Sequence, residues 1–258
     1  MAGINSISSV PILMYHQVVN GKPGDIHAVS TESFEMQMSW LHGSGYETVL
    51  IDDASHESLL PQNQSPKRRI AISFDDGYLD AFENAAPILS RFGFSATIFL
   101  VAGRVGLKND WDVSPVLRDA SLMDWKQVRA LRDLGMRFGA HTCTHPDLTA
   151  VTDHQAEWEI RTARTIIEDK LGNPVRAFAY PYSRFTAATI GHVADAGYTA
   201  ACTYIPGFVG GAGNRPLALR RTGILATDTL DDFARKVRAA VKLRIRYHWN
   251  TINKLLNR

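Results

Sequence analysis

Short apolar runs, each closing on polar residues and each followed by a helical stretch, recur along this chain. That alternation limits what it can fold into. Residues 11–16, 48–51, 69–74, 96–101, 136–140, 176–180 and 198–203 read as strands. Residues 33–45, 80–92, 123–134, 153–171 and 186–196 carry apolar positions at helical spacing. Pro87 falls inside the 80–92 segment, so that helix is expected to start late or to kink. Residues 57–69 and 103–121 read as irregular connections. Repeated β-α units imply parallel strands with covering helices, and about six or seven units suggest a barrel or a distorted barrel.

The chain has 258 residues, 45% hydrophobic and 21% charged. This suits one large α/β domain and is short for two. We read residues 1–230 as that domain and residues 231–258 as a C-terminal basic helix. The net charge of +2 gives no reason to expect a nucleic-acid partner. Two cysteines, Cys143 and Cys202, are too few for a disulfide framework. No apolar run approaches the length of a membrane span, and the first residues lack the basic and apolar regions of a signal peptide. The expected location is cytoplasmic.

In parallel α/β folds the reactive groups gather at the C-terminal ends of the strands. Four polar clusters follow predicted strands here: His16, Asp75-Asp76, His141 with His145, and Tyr180-Pro181-Tyr182. Asp-Gly is a common turn dipeptide, so Asp75-Asp76-Gly77 can be a simple strand ending. Two adjacent carboxylates after a buried strand, however, call for a cation or another partner. His141 and His145 add two imidazoles. Together with one carboxylate they form a frequent three-ligand set for a catalytic divalent metal, leaving the second carboxylate free as a base. Pro181 fixes a loop that can aim the Tyr182 backbone N–H at an oxyanion. His16 reads from its surroundings as a half-buried edge residue, although amide hydrolysis needs an acid and histidine suits that task. His27, His42, His56, His154, His192 and His248 read as surface or core residues.

Taken together, Ile72-Ser-Phe-Asp-Asp-Gly77, His141-Thr-Cys-Thr-His-Pro146 and Ala179-Tyr-Pro-Tyr182 resemble the first three motifs of the polysaccharide deacetylases, the NodB-homology group of carbohydrate esterase family 4. The resemblance implies a single deformed (β/α) barrel. It also implies one divalent metal, often zinc, and hydrolysis of N-acetyl groups on N-acetylglucosamine-containing chains. On that basis Asp75 is the general base, and Asp76, His141 and His145 are the metal ligands. Tyr182 supplies its N–H. Ile12-Leu-Met-Tyr-His16 resembles the subgroup of poly-N-acetylglucosamine de-N-acetylases, which makes His16 the general acid. Tyr180, Pro181 and Trp125 are expected at the substrate, and Trp111 and Tyr78 are further rings that either stack on sugar or pack in the core.

The chain departs from the family pattern at three places. Ala179 stands where many members carry the arginine that holds the catalytic carboxylate, leaving Arg176, Arg184 or Arg220 as substitutes. Ser183 replaces a glycine. The late Leu-x-His motif is missing, the nearest stretch being residues 217–221. Residues 233–258 combine basic and apolar positions as a membrane-interface helix does, and equally as a terminal helix packed on a barrel does. The first reading would place the protein at the inner face of a membrane, on a lipid-linked glycan. Two competing functions remain at this level: a glycan-binding barrel without hydrolysis, and a metal-dependent hydrolase of a small non-sugar amide.

Overall fold

Strand closure is what turns the β-α repeats into a barrel. The structure, a computed structural model, describes residues 10–52, 68–114, 116–204 and 216–242. Its strands are β1 (Ile12–Tyr15), β2 (Gln17–Val19), β3 (Ala28–Ser30), β4 (Tyr46–Thr48), β5 (Arg68–Phe74), β6 (Thr97–Leu100), β7 (Arg137–Ala140), β8 (Ala177–Ala179), β9 (Ala200–Tyr204) and β10 (Leu219–Gly223). The helices are α1 (Thr31–Gly43), α2 (Ala86–Arg91), α3 (Trp125–Asp133), α4 (Asp153–Leu171), α5 (Ala187–Asp195) and α6 (Leu230–Lys242).

β1 pairs with both β5 and β10, closing a ring of seven parallel strands in the order β1-β10-β9-β8-β7-β6-β5. One edge of β5 is shared by two partners, Arg68–Ile70 pairing with β4 and Ala71–Phe74 with β1, while its other edge pairs with β6. β7 and β8 are joined through a single registered pair, Ala140 with Phe178. The ring is therefore a deformed barrel, as the alternation of elements implied.

Two cores follow from the period of two along each strand. Ile12, Ala71, Phe99, Ala177, Ala179, Ala200, Cys202 and Leu219 fill the barrel interior. The alternate residues, among them Leu13, Tyr15, Ile72, Phe74, Ile98 and Phe178, pack outward against the helices. Half of this interior set is alanine, and Ile12, Phe99 and Leu219 are its large members. The same alternation puts Ser73 and then Asp75 on the interior side of β5, at its C-terminal end.

The helices follow their sequence signals closely. α4 keeps the expected bounds, capped by the Thr152 hydroxyl at its start and by Gly172, at φ 69°, at its end. Residues 81–85 form a π-helical turn that runs without a break into α2, and Pro87 follows directly after this wider turn. Four strands differ from the sequence reading. The expected strand at 48–51 lies at Tyr46–Thr48, while β2, β3 and β10 fall in stretches to which the sequence reading assigned no element.

Only the start of the expected basic helix lies in the described residues, since residues 243–258 fall outside them. In α6 the apolar positions Phe233 and Val237 are buried in the outer core, and Phe233 meets Trp40 of α1 edge-on at 5.8 Å. This stretch thus packs on the barrel and does not offer its apolar face to a lipid surface. Among the described residues no helix is long and apolar enough to cross a membrane.

Interior packing leaves little tolerance at Gly139. A Cβ there would lie 2.6 Å from the Phe99 ring and 2.8 Å from the Ala177 carbonyl oxygen. Gly139→Ala is expected to lower stability by about 1–3 kcal/mol through overpacking. Urea unfolding would measure this, and an unchanged midpoint would contradict the packing described.

Candidate active site

The C-terminal ends of the ring strands deliver the site. His16 follows β1, Asp75 and Asp76 follow β5, His141 follows β7 and Tyr180 follows β8. They line one open cavity of about 310 Å³ together with His27, Asp112, His145, Tyr182 and Tyr204. That volume is at the lower end for small-molecule sites.

Asp75 is held by Arg221. The guanidinium nitrogens donate to its two carboxylate oxygens at 2.6 and 2.7 Å, and both residues are buried. Arg221 also donates to the Ser73 hydroxyl at 3.3 Å and lies 5.4 Å from the Phe99 ring centre. This fork-to-fork contact is the strongest form of a carboxylate pair. Burial alone would raise the Asp75 carboxyl, but the charge and hydrogen bonds of Arg221 outweigh it and hold the group well below the usual carboxylate range. The supporting arginine is therefore Arg221. Arg176, Arg184 and Arg220 do not fill that place. A signal was available: Leu219 faces the barrel interior, and two residues along a strand the side chain returns to the same face. With no strand read over residues 219–223, that parity was hidden.

Asp76 has the opposite environment. Burial and repulsion from Asp75 and Asp112 push its carboxyl well up. Tyr78 partly offsets this rise, and its hydroxyl accepts from Asn109 Nδ2 at 2.7 Å. Asp76 Oδ1 itself is buried without a hydrogen-bond partner. It lies 3.6 Å from His141 Nε2 and 3.4 Å from His145 Nε2, and those two nitrogens are 3.2 Å apart. His141 Nδ1 donates to the Ala179 carbonyl at 2.7 Å, which fixes the tautomer and leaves Nε2 as a lone-pair donor facing the set. An orphaned carboxylate oxygen and two converging imidazole nitrogens fit a divalent cation.

The loops carrying these groups bend sharply. Asp76, Thr142, His145, Tyr182 and Ser183 all have positive φ without being glycine. Gly77, at φ 76°, allows the turn after the two aspartates, and a Cβ there would come within 2.8 Å of Leu100.

Tyr182 is half exposed, with its ring edge-on to His145 at 4.8 Å. Tyr180 lines the cavity, while its hydroxyl is spent on the Leu217 carbonyl. Pro181 is buried beside it in the short turn. Trp125 opens α3, packs on the outer core and does not line the cavity. The tryptophan at the site is Trp111, whose ring lies 4.9 Å from that of His145. Asn109 secures this wall: its side-chain oxygen accepts from the Trp111 and Asp112 backbone N–H groups, and its amide donates to Asp112 Oδ2. His27 was read from sequence as a surface or core residue, yet it faces the cavity with its ring 5.0 Å from His16. Nothing in the local pattern marks it, since β3 brings it there.

A parallel barrel with an acid pair and an Asp-His-His set at its mouth is the architecture of a hydrolase of the NodB type. The polysaccharide deacetylase family profile matches residues 62–201, and the chain belongs to that family. It is 28% identical over 201 residues to YxkH of Bacillus subtilis (strain 168), covering 78% of this chain and 66% of that one. A poly-beta-1,6-N-acetyl-D-glucosamine N-deacetylase of Staphylococcus aureus (strain MRSA252) is 25% identical over 167 residues, which are 60% of this chain and 54% of that protein. This chain thus spans less than two thirds of either relative. Among solved structures, the Streptococcus pyogenes deacetylase PplD in complex with acetate superposes with a TM-score of 0.75 at 25% identity, covering 89% of this chain and 98% of that one.

The contrasting environments of the ligand set give a proton count. In the metal-free protein the Asp76 carboxyl is raised, while burial lowers both His141 and His145. Zn²⁺ binding in mildly acidic buffer should therefore release about one proton, from the carboxyl, because the imidazoles are already neutral. As pH falls, affinity should drop through protonation of Asp76 before the histidines titrate. Calorimetry in buffers of different ionisation enthalpy counts the protons; release of two or more would contradict the assignment.

Proposed function

We propose that the protein is a metal-dependent hydrolase that removes N-acetyl groups from N-acetylglucosamine-type amino sugars in a polysaccharide or glycan intermediate. The observation that carries this is the Arg221-clamped Asp75 standing beside the converging Asp76, His141 and His145 in one cavity. Family membership and the Staphylococcus aureus relative support the sugar substrate.

A zinc-like ion held by Asp76, His141 and His145 would supply Lewis-acid polarisation of the acetyl carbonyl and ease deprotonation of water. The remaining chemistry belongs to the chain. Asp75, kept ionised by Arg221, takes a proton from the attacking water as the oxygen–carbon bond forms. The Tyr182 N–H donates to the developing oxyanion. The carbon–nitrogen bond then breaks, and the amine leaves with a proton from His16. Burial pushes His16 down to about 4, so its ring rests neutral near pH 7. It therefore receives its proton during the cycle, from Asp75, and passes it to the nitrogen.

Acetate release from N-acetylglucosamine oligomers, by zinc-loaded and by chelated protein, tests the function. Release that depends on metal is expected. Stoichiometric zinc without release would redirect the search to another acyl amide, and neither zinc nor release would favour a glycan-binding barrel. Asp75→Asn should lower turnover by about 10²- to 10⁴-fold while zinc is retained; a fully active variant would remove Asp75 from the base role.

The neutral resting state of His16 gives a pH prediction. An acid that had to be charged beforehand would lose activity as pH rose above its pKa. With His16 lowered to about 4, kcat should stay level from about pH 6 to about pH 8. A steep decline across that interval that His16→Gln abolished would contradict the relay.

A further inference from the structure

We infer that Glu159 is a positioning residue that sets the loop from His141 to His145 for metal binding. It lies on α4, outside the cavity, on the helix face that otherwise buries Ala156, Ile160, Ala163 and Ile167. A carboxylate at 1% exposure on that stripe needs partners, and it finds them all in one place. Glu159 Oε2 accepts from the Cys143 and Thr144 backbone N–H groups, both at 2.8 Å, and Oε1 accepts from the Thr144 hydroxyl at 2.5 Å.

These three bonds fall between the two histidines. The loop there is bent at Thr142 (φ 64°) and again at His145 (φ 66°). Neither residue is glycine, so each bend stores strain that the surroundings must offset. Inside the loop, Thr142 Oγ1 accepts from the His145 N–H at 3.0 Å, which closes the turn on itself. Outside it, Glu159 alone among the described side chains anchors the Cys143 and Thr144 amides, two of the three between the histidines, while Gly103 N–H donates to the Cys143 carbonyl. The bend points both Nε2 atoms at Asp76 Oδ1. The reach of Glu159 therefore fixes the distance between the ligands, although it touches none of them.

The inference rests on reading Asp76, His141 and His145 as a metal site, and the test separates the two. Zn²⁺ affinity is measured by competition with a chromophoric chelator, alongside the melting temperature of the metal-free protein. The variants are Glu159→Gln, which keeps the reach and loses the charge, and Glu159→Asp, which keeps the charge and loses the reach. Glu168→Ala, which removes an acceptor of Arg164 and of the Val175 N–H on the same helix, is the control for loss of stability alone.

Glu159→Asp should weaken Zn²⁺ binding by about 10- to 100-fold, Glu159→Gln should stay close to wild type, and Glu168→Ala should lower the melting temperature without moving the affinity. Wild-type affinity in Glu159→Asp, or an equal loss in Glu168→Ala, would overturn the positioning role and leave the metal site standing. A wild-type protein that takes up no zinc would remove the metal reading itself, and this inference with it.

Discussion

The buried pair of Arg221 and Asp75 is the interaction on which the site depends. Two charges withdrawn from water at the mouth of a barrel cost several kcal/mol each, and only good geometry recovers that cost. Here the two-pronged contact, the Ser73 hydroxyl and the Phe99 face supply it. The pair also crosses the barrel, because Arg221 comes from β10 and Asp75 from the end of β5, with β1 between them in the ring. Removing either charge would leave the other buried and alone. Asp75 is thus fixed by a contact that spans the strands closing the barrel.

Around that pair the adjacent aspartates are driven apart. Arg221 keeps Asp75 ionised, while burial and the negative charge of its neighbours raise Asp76. One carboxylate is thereby held charged, and the other is biased toward its protonated form. Divergent environments on paired carboxyls are a general route to separate roles. Backbone strain is concentrated at the same place. Of the six non-glycine residues with positive φ among the described residues, five lie in the three loops that carry Asp76, His141 with His145, and Tyr182. Such conformations persist where packing over-determines them, and here the strand ends beneath and the anchoring side chains outside provide that.

Much of this was legible in the sequence. The apolar strand runs, the 153–171 helix and the polar strand endings gave the β-α succession, and the Asp-Asp-Gly and His-x-x-x-His-Pro segments contain the side chains that converge as Asp76, His141 and His145. Arg221 escaped because no strand was read over the short β10, so its inward parity was not visible without the register to β9 and β1. Trp125 and Trp111 are alike in sequence terms. Only packing sends the first to the outer core and the second against His145. His27 and Asp112 reach the cavity through loops whose course no local pattern predicts.

The sequence by itself determined the alternation of elements, the parallel sheet it demands and the chemical identity of the groups at the strand ends. These are local properties: side-chain period, turn chemistry and the titratable groups themselves. The tertiary structure alone decided which arginine meets Asp75, which tryptophan walls the site, and that a carboxylate on α4 anchors the histidine loop. Those are contacts between residues far apart in the chain, and they exist only once the ring has closed and set the register.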